Sequence, residues 1–365
     1  MSEVWALVAV GSLAAVAVLL GDRLRRRRAE AQAVLKGVRS VISGDPDAAI
    51  EALSDAARLG TAQAVETYLA LGQLFRRTGD LSRALRLHRN MLLGPGLPAV
   101  RRPEVERELA EDYRRSGMLA EAAEIYGRLA PGDPRAAEGL RDVRVDAGDL
   151  EGAIAAQRAL VPEGDDPVLA HLYAARARDV LAGDARRAVA LAEEGLGAFA
   201  RSADAALALA EAEAAGGDAD AAAGALGRAL DADPAAAVLA WPPLAALPGP
   251  VALRFLEARL ATRPGDAALH LLHGRALHRG GDTPAALAAL RRALESDRTG
   301  EVTLAMRELL RQAEAPGPGE LAARHDLLVA ALLRRTPSLR CARCGAAALV
   351  RSFRCARCGA FDPFS

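Results

Sequence analysis

A glycine followed by aspartate recurs along this chain at Gly44-Asp45, Gly79-Asp80, Gly148-Asp149, Gly183-Asp184, Gly217-Asp218 and Gly281-Asp282, and Gly117-Met118 fills the one early gap. Successive glycines are 35, 38, 31, 35, 34 and 64 residues apart. Such a period suits a helical pair that is too small to bury its own apolar stripe and must stack on its neighbours. The last step is nearly twice the others, so one unit has lost its glycine in the proline-rich stretch "WPPLAALPGPVALRFLEARLATRPGD".

The internal pattern agrees. Five residues after each glycine stands an alanine (Ala49, Ala84, Ala122, Ala153, Ala188, Ala222, Ala286), small enough to let two helices approach closely. Before the glycine, Leu71, Gly72 and Phe75, then Leu109, Ala110 and Tyr113, and again Leu272, Gly274 and Leu277 set an aliphatic, a small and a bulky residue on one helical face. Second helices are expected to stop near Pro134, Pro234 and Pro264. Hydrophobic residues make up 51% of the chain and charged ones 26%, which excludes a mostly disordered protein. Aromatics are only 3%, so burial proceeds through many small contacts, as between close-packed helices; an all-β sandwich would need more Val, Tyr, Phe and Thr. The fold class is all-α. These residues resemble the tetratricopeptide repeat over roughly residues 31–335, with degenerate units near 235–262. That resemblance implies a superhelical solenoid with a groove for peptides, in which the Gly, Ala and Leu positions are scaffold and contact no ligand.

Residues 4–21, "VWALVAVGSLAAVAVLLG", carry no charge and would span about 27 Å as a helix, close to the hydrocarbon thickness of a bilayer. "DRLRRRR" follows at once, and such a cluster is retained on the cytoplasmic side. A cleaved signal peptide would have its positive charge before the apolar run, where this chain has Glu3. The expected organisation is a transmembrane anchor over 1–22, a basic juxtamembrane segment over 23–30, the repeats over 31–335 and a small terminal domain over 336–365. The formal net charge of zero conceals an uneven distribution: residues 29–333 hold 35 bases against 44 acids, between two basic ends.

All four cysteines fall in that terminal domain, as Cys341-x2-Cys344 and Cys355-x2-Cys358 with glycine after each pair at Gly345 and Gly359. Two residues between thiolates form a tight knuckle, and two knuckles make a tetrahedral four-sulfur site suited to one Zn2+ or, alternatively, a single iron. A cytoplasmic location disfavours a structural disulfide, and a redox CxxC would stand beside a βαβ pattern that is missing here. So short a segment, with Leu349, Val350, Phe353, Phe361 and Phe364 as its large apolar residues, needs the metal to fold. With four protein ligands no position stays open for water, so the site is structural. Seven arginines over residues 334–358 raise nucleic acid as a partner, but no alternation of aromatic and basic residues accompanies them, and a solvated basic face is the better reading.

Phosphate-loop, HExxH, GxSxG and GxGxxG patterns are absent, and no pair of carboxylates stands out from ordinary solvated helix charge. His270 and His273 share a helix face beside Gly274, and His88 sits where a second helix packs a bulky residue; for all three, core packing is the expectation. An enzyme is not indicated.

An N-terminal span with following arginines, a repeat array including "LGQLFRRTGDLSRALRLHRNML", and a C-x2-C-x10-C-x2-C tail together resemble the lipopolysaccharide assembly protein B family. The resemblance implies a rubredoxin-like ribbon with Cys341, Cys344, Cys355 and Cys358 as metal ligands, on a single-pass inner-membrane adaptor. It also implies partners: an FtsH-type membrane protease, the deacetylase that commits precursor to lipid A, and other lipopolysaccharide-synthesis proteins. This chain departs from the family in carrying Ala356 where the second knuckle tends to have proline, and in keeping only Phe353 and Phe361 as ribbon aromatics near the knuckles. The ribbon is expected to dock on the last repeats or on a second partner. Rival readings are a membrane-anchored scaffold for another envelope or cytochrome assembly pathway, and a rubredoxin-like electron carrier.

Overall fold

The computed structural model describes residues 62–295 apart from 95–96, and residues 339–364 apart from 349–350, together with a few isolated positions between 18 and 25. The expected span at 4–21, the basic segment and the repeat at Gly44-Asp45 lie almost wholly outside the described residues, as do Leu349 and Val350. Among the described residues no helix is long and apolar enough to cross a membrane. The chain divides into two compact units, Met1–Asp149 and Leu150–Ser365.

In the first unit, α1 (Ala62–Thr78) and α2 (Leu81–Leu93) form one helical pair, α3 (Arg102–Arg115) and α4 (Leu119–Leu129) the next, and α5 (Pro134–Asp146) completes it. The second unit opens with α6 (Leu150–Leu160) and continues with the pairs α7 (Pro167–Leu181) with α8 (Ala185–Ala198) and α9 (Ala203–Gly216) with α10 (Ala219–Ala232). The proline-rich unit follows. Its first half is broken into a 3-10 turn, Pro234–Leu239, and the short α11 (Trp241–Ala246), before α12 (Gly249–Thr262). The pair α13 (Ala267–Arg279) and α14 (Thr283–Leu294) comes next, and a two-stranded ribbon, β1 (Leu339–Arg340) with β2 (Ala347–Ala348), lies beyond.

The recurring Gly-Asp pair is a helix stop joined to a helix start. Gly79, Gly117, Gly148, Gly217 and Gly281 take left-handed φ values between 79° and 89°, ending the first helix where a side chain would be strained. The aspartate then caps the second helix: the carboxylates of Asp80, Asp184, Asp218 and Asp282 accept from the backbone N–H three residues on. Prolines act in the same way. Pro134 and Pro234 stand at the first turn of the following helix behind the capping residues Asp133 and Asp233, so they start helices as much as they end them.

The six described alanines at the fifth position, Ala84, Ala122, Ala153, Ala188, Ala222 and Ala286, are all 0% exposed. A β-carbon at Gly274 would come within 2.9 Å of the Leu290 side chain, and one at Gly72 would overlap the His88 ring, so these helix pairs close on contact with no space to spare.

Charge supplies the second stacking device. Arg76, near the end of α1, reaches α3, where its guanidinium donates to Glu108 (2.5 Å) and to Asp112 (2.6 Å). Asp112 is fully buried and also receives His88 Nδ1–H at 2.6 Å. Arg114, one repeat later, reaches Asp146 on α5 at 2.6 Å and lies 3.5 Å from the buried Asp142. In the second unit Arg178 on α7 meets Asp204 (2.7 Å) and Glu211 (2.9 Å) on α9. This corrects the expectation that the carboxylates are ordinary solvated charge. Arginine and carboxylate lie about one repeat apart in sequence, so stacking alone brings them together. Breaking such a buried pair leaves an uncompensated charge, at a cost of about 3–5 kcal/mol.

Asp112→Ala is therefore expected to lower the urea midpoint of the full chain by an amount equivalent to about 3 kcal/mol in its first transition. A shift equivalent to less than about 1 kcal/mol would contradict the role of the buried carboxylate in stacking.

Candidate metal centre and its docking face

Each CxxC pair closes a miniature turn, and the two turns repeat one another bond for bond. In the first, Cys341 N–H donates to Ala346 O (2.9 Å) and Gly345 N–H to Cys341 O (2.8 Å); in the second, Cys355 N–H donates to Ala360 O and Gly359 N–H to Cys355 O, both at 2.8 Å. Gly345 and Gly359 have φ of 68° and 69°, so the glycine after each pair is required by the backbone. Ala356 is exposed, and the second turn keeps the hydrogen bonds of the first without a proline there. The strands β1 and β2 pair antiparallel around the first knuckle, and Arg354 bridges Phe361 across the second. Two further bonds join the halves: Ala342 N–H to Pro363 O at 2.9 Å, and Asp362 N–H to Phe353 O at 2.8 Å.

These turns aim four sulfurs at one point. Cys341, Cys344, Cys355 and Cys358 place all their Sγ atoms within 4.8 Å of one another, and three of the four residues are buried. The Sγ separations of 3.5 Å for Cys341–Cys358 and 3.8 Å for Cys344–Cys355 are far too long for disulfides. They match the edge of about 3.8 Å expected of a tetrahedron with sulfurs 2.3 Å from a central ion. The residues present therefore fit a metal of the zinc or single-iron class, and no other group of three or more candidate ligands occurs among the described residues. Burial works against ionisation of Cys341, but N–H groups of Cys344 and Arg343 bring its thiol down to about 7, while burial pushes Cys358 up to about 12. The Cys341 thiol is thus ready to ionise near neutrality, whereas Cys358 would need a bound cation to carry charge there.

The ribbon rests on α7 and at the end of α10. His171 on α7 is 5% exposed, and its two ring nitrogens are each spoken for: Nδ1–H donates to Asp204 on α9 at 2.7 Å, and Nε2–H donates to Asp362 of the ribbon at 2.8 Å. Phe361 stacks on the imidazole with centroids 5.3 Å apart and planes within 9°, and Phe353 tilts against it at 5.6 Å. Asp362 adopts a left-handed φ of 43°, a conformation that aspartate tolerates better than most residues. At a second point Arg351 donates to Asp233 at 2.7 Å, the carboxylate whose other oxygen caps the 3-10 turn through Ala235. The expected repeats beyond residue 295 lie outside the described residues; among the described ones the ribbon meets α7, where the partly buried Asp204–Arg178 pair offers His171 a fixed carboxylate.

Burial disfavours the imidazolium of His171, but its bonds to Asp204 and Asp362 more than offset this and raise its pKa to about 9. Asp204 is correspondingly held below the usual carboxylate range: burial opposes this, and the bond from His171 and the charge of Arg178 outweigh it. Because the pKa in the docked state lies above the ordinary value of about 6.5, the contribution of the charged ring is complete below that value and is lost as pH rises through about 9.

His270 and His273 take the core role expected of them. His270 is buried, with Nε2 2.8 Å from Pro264 O, and burial lowers the pKa of His273. His88 is fully buried against Gly72, as expected for a packing residue. Sequence reasoning missed His171, Asp204, Arg351 and Asp362. A one-repeat spacing links His171 to Asp204, but nothing in the sequence points from either to Asp362.

Asp362→Asn removes one of the two carboxylates facing His171 and leaves Asp204, Arg178 and Glu211 in place. The titration midpoint of the His171 ring, followed by nitrogen-15 NMR, is expected to fall from about 9 toward neutrality. An unchanged midpoint would show that the ribbon contact does not hold the proton.

The tetratricopeptide repeat family matches residues 43–92 and 250–301. Lipopolysaccharide assembly protein B of Escherichia coli strain K12 is 29% identical over 174 residues, 46% of this chain and 44% of that protein, and its counterpart from strain O157:H7 matches equally. The match thus spans less than half the length of these curated relatives. Among solved structures, a tetratricopeptide repeat protein from Parabacteroides merdae ATCC 43184 has 17% identity and a TM-score of 0.38, covering 75% of this chain and 99% of that one. The C-terminal part of a repeat-containing protein from Cytophaga hutchinsonii has 13% identity and a TM-score of 0.41, covering 65% and 98%. This chain therefore carries tetratricopeptide repeats at the matched residues and a four-cysteine ribbon, and is similar to lipopolysaccharide assembly protein B over 46% of its length.

Proposed function

We propose that this chain is a non-catalytic adaptor in lipopolysaccharide assembly, anchored in the inner membrane by residues 4–21 with its repeats and ribbon in the cytoplasm. The observation that carries this reading is the combination of a repeat array with a four-thiol ribbon seated on it, in a chain similar to lipopolysaccharide assembly protein B. Repeat arrays bind proteins through extended surfaces. The partners inferred are an FtsH-type membrane protease and, as its client, the deacetylase of the committed step toward lipid A. An anchor beside the protease raises the local concentration of both without any new contact. The role is presentation, and no residue is assigned to bond making or breaking.

Cys341, Cys344, Cys355 and Cys358 are proposed to hold one Zn2+. When bound, the ion supplies folding free energy and neutralises thiolate charge. The chain's own contribution is the pair of glycine-assisted turns that hold the sulfurs in place and the backbone bonds that tie both halves together. Iron is the alternative, and a red protein with visible absorbance would favour it. Of the seven arginines over residues 334–358, Arg351 is engaged with Asp233 and Arg354 lies over the Phe361 ring, which supports a docking role over nucleic-acid binding.

Elemental analysis of the purified full chain is expected to give one zinc per molecule, and Cys341→Ser or Cys355→Ser to lose it; unchanged metal content in both variants would remove the assignment. Deleting residues 1–22 is expected to leave a folded protein that no longer restrains deacetylase abundance in the cell. Normal deacetylase turnover with that truncation would contradict the tethered adaptor.

A further inference from the structure

The ribbon's contacts with the repeats are made by residues whose positions depend on the two knuckles. Phe353 lies two residues before Cys355, and Phe361 and Asp362 follow Cys358 by three and four. Asp362 is set by its N–H bond to Phe353 O, and Pro363 O is tied to Ala342 beside Cys341. Strand pairing adds only two residues on each side. A segment this small cannot hold such an arrangement through its own apolar contacts, so ordering of the docking residues is coupled to ion binding. The array side is built differently. Asp204 accepts two bonds from Arg178 and one from His171, all made between helices of the stacked repeats without any ribbon atom.

From this asymmetry we propose that the ribbon is a metal-gated cover: with its ion bound it seals the face of α7 and α9 at His171, and when the ion is lost the cover disorders and opens that face. This rests on the metal assignment above and adds a consequence to it. The receptor face persists in both states, preformed and charged, while the cover has two states set by metal supply. Asp362, 58% exposed at its side chain, and the single link from Arg351 to Asp233 are the outer contacts of the cover, so opening requires no change in the repeats.

The test is carbethoxylation of histidines in the full-length chain in detergent at neutral pH, read by peptide mass spectrometry, with zinc content measured on the same samples. In the zinc-loaded chain His171 is expected to be protected. Removing zinc with a thiol-compatible chelator should raise its modification rate at least tenfold, while His88, buried in the other unit, stays protected and reports that the repeats remain folded. Phe361→Ala and Asp362→Ala, neither of them a metal ligand, should expose His171 with zinc still bound. Continued protection of His171 after zinc has left would overturn the gate, as would protection in both variants or exposure of His88 in parallel with His171. A purified chain that holds no stoichiometric metal would overturn the metal assignment itself, a result distinguishable from failure of the gate alone.

Discussion

Four thiols within 4.8 Å of one another, three of them on buried residues, are an unstable arrangement by themselves: ionised they repel, and protonated they bury too little to order the segment around them. A cation removes the conflict. The rest of the ribbon follows from that condition, including the two matched turns, the left-handed glycines and the short bridge that sets Phe361 and Asp362 against His171. What the ribbon touches therefore depends on what its sulfurs hold.

The repeats rest on a different principle. No helical pair covers its own apolar stripe, so each depends on the next, and the helices approach one another through alanine and glycine. With so few aromatics to spend, the array fixes its register by charge: an arginine late in one first helix reaches carboxylates on the following one, and the carboxylates at Asp112, Asp142 and Asp204 are buried. Burying an ion pair adds little net stability over an apolar contact, but its loss is severe, which makes it a device for specifying which helix stacks where. His171 shows the same chemistry reused. The carboxylate that receives Arg178 also receives the imidazole, and the ribbon completes the set with Asp362.

The repeat period, the buried alanines and the four sulfurs were legible in the sequence because each is a local pattern with a local cause. A glycine that must turn left-handed, an alanine where helices touch, and thiols two residues apart carry their reasons with them. The capping role of the aspartates was equally local, at Asp80 or Asp218, and was within reach of the same reasoning. The buried ion pairs and the docking face were not, because charge at Asp112 looks the same in sequence as charge at Glu121; only stacking decides that one is enclosed and the other solvated. The link from His171 to Asp362 bridges 191 residues and reflects no periodicity at all.

X-ray absorption fine structure at the metal edge of the purified full chain tests the central claim most directly. The account predicts a single shell of four sulfurs at about 2.3 Å with no nitrogen or oxygen ligand. A shell with fewer than four sulfurs, or one containing light-atom ligands, would contradict it.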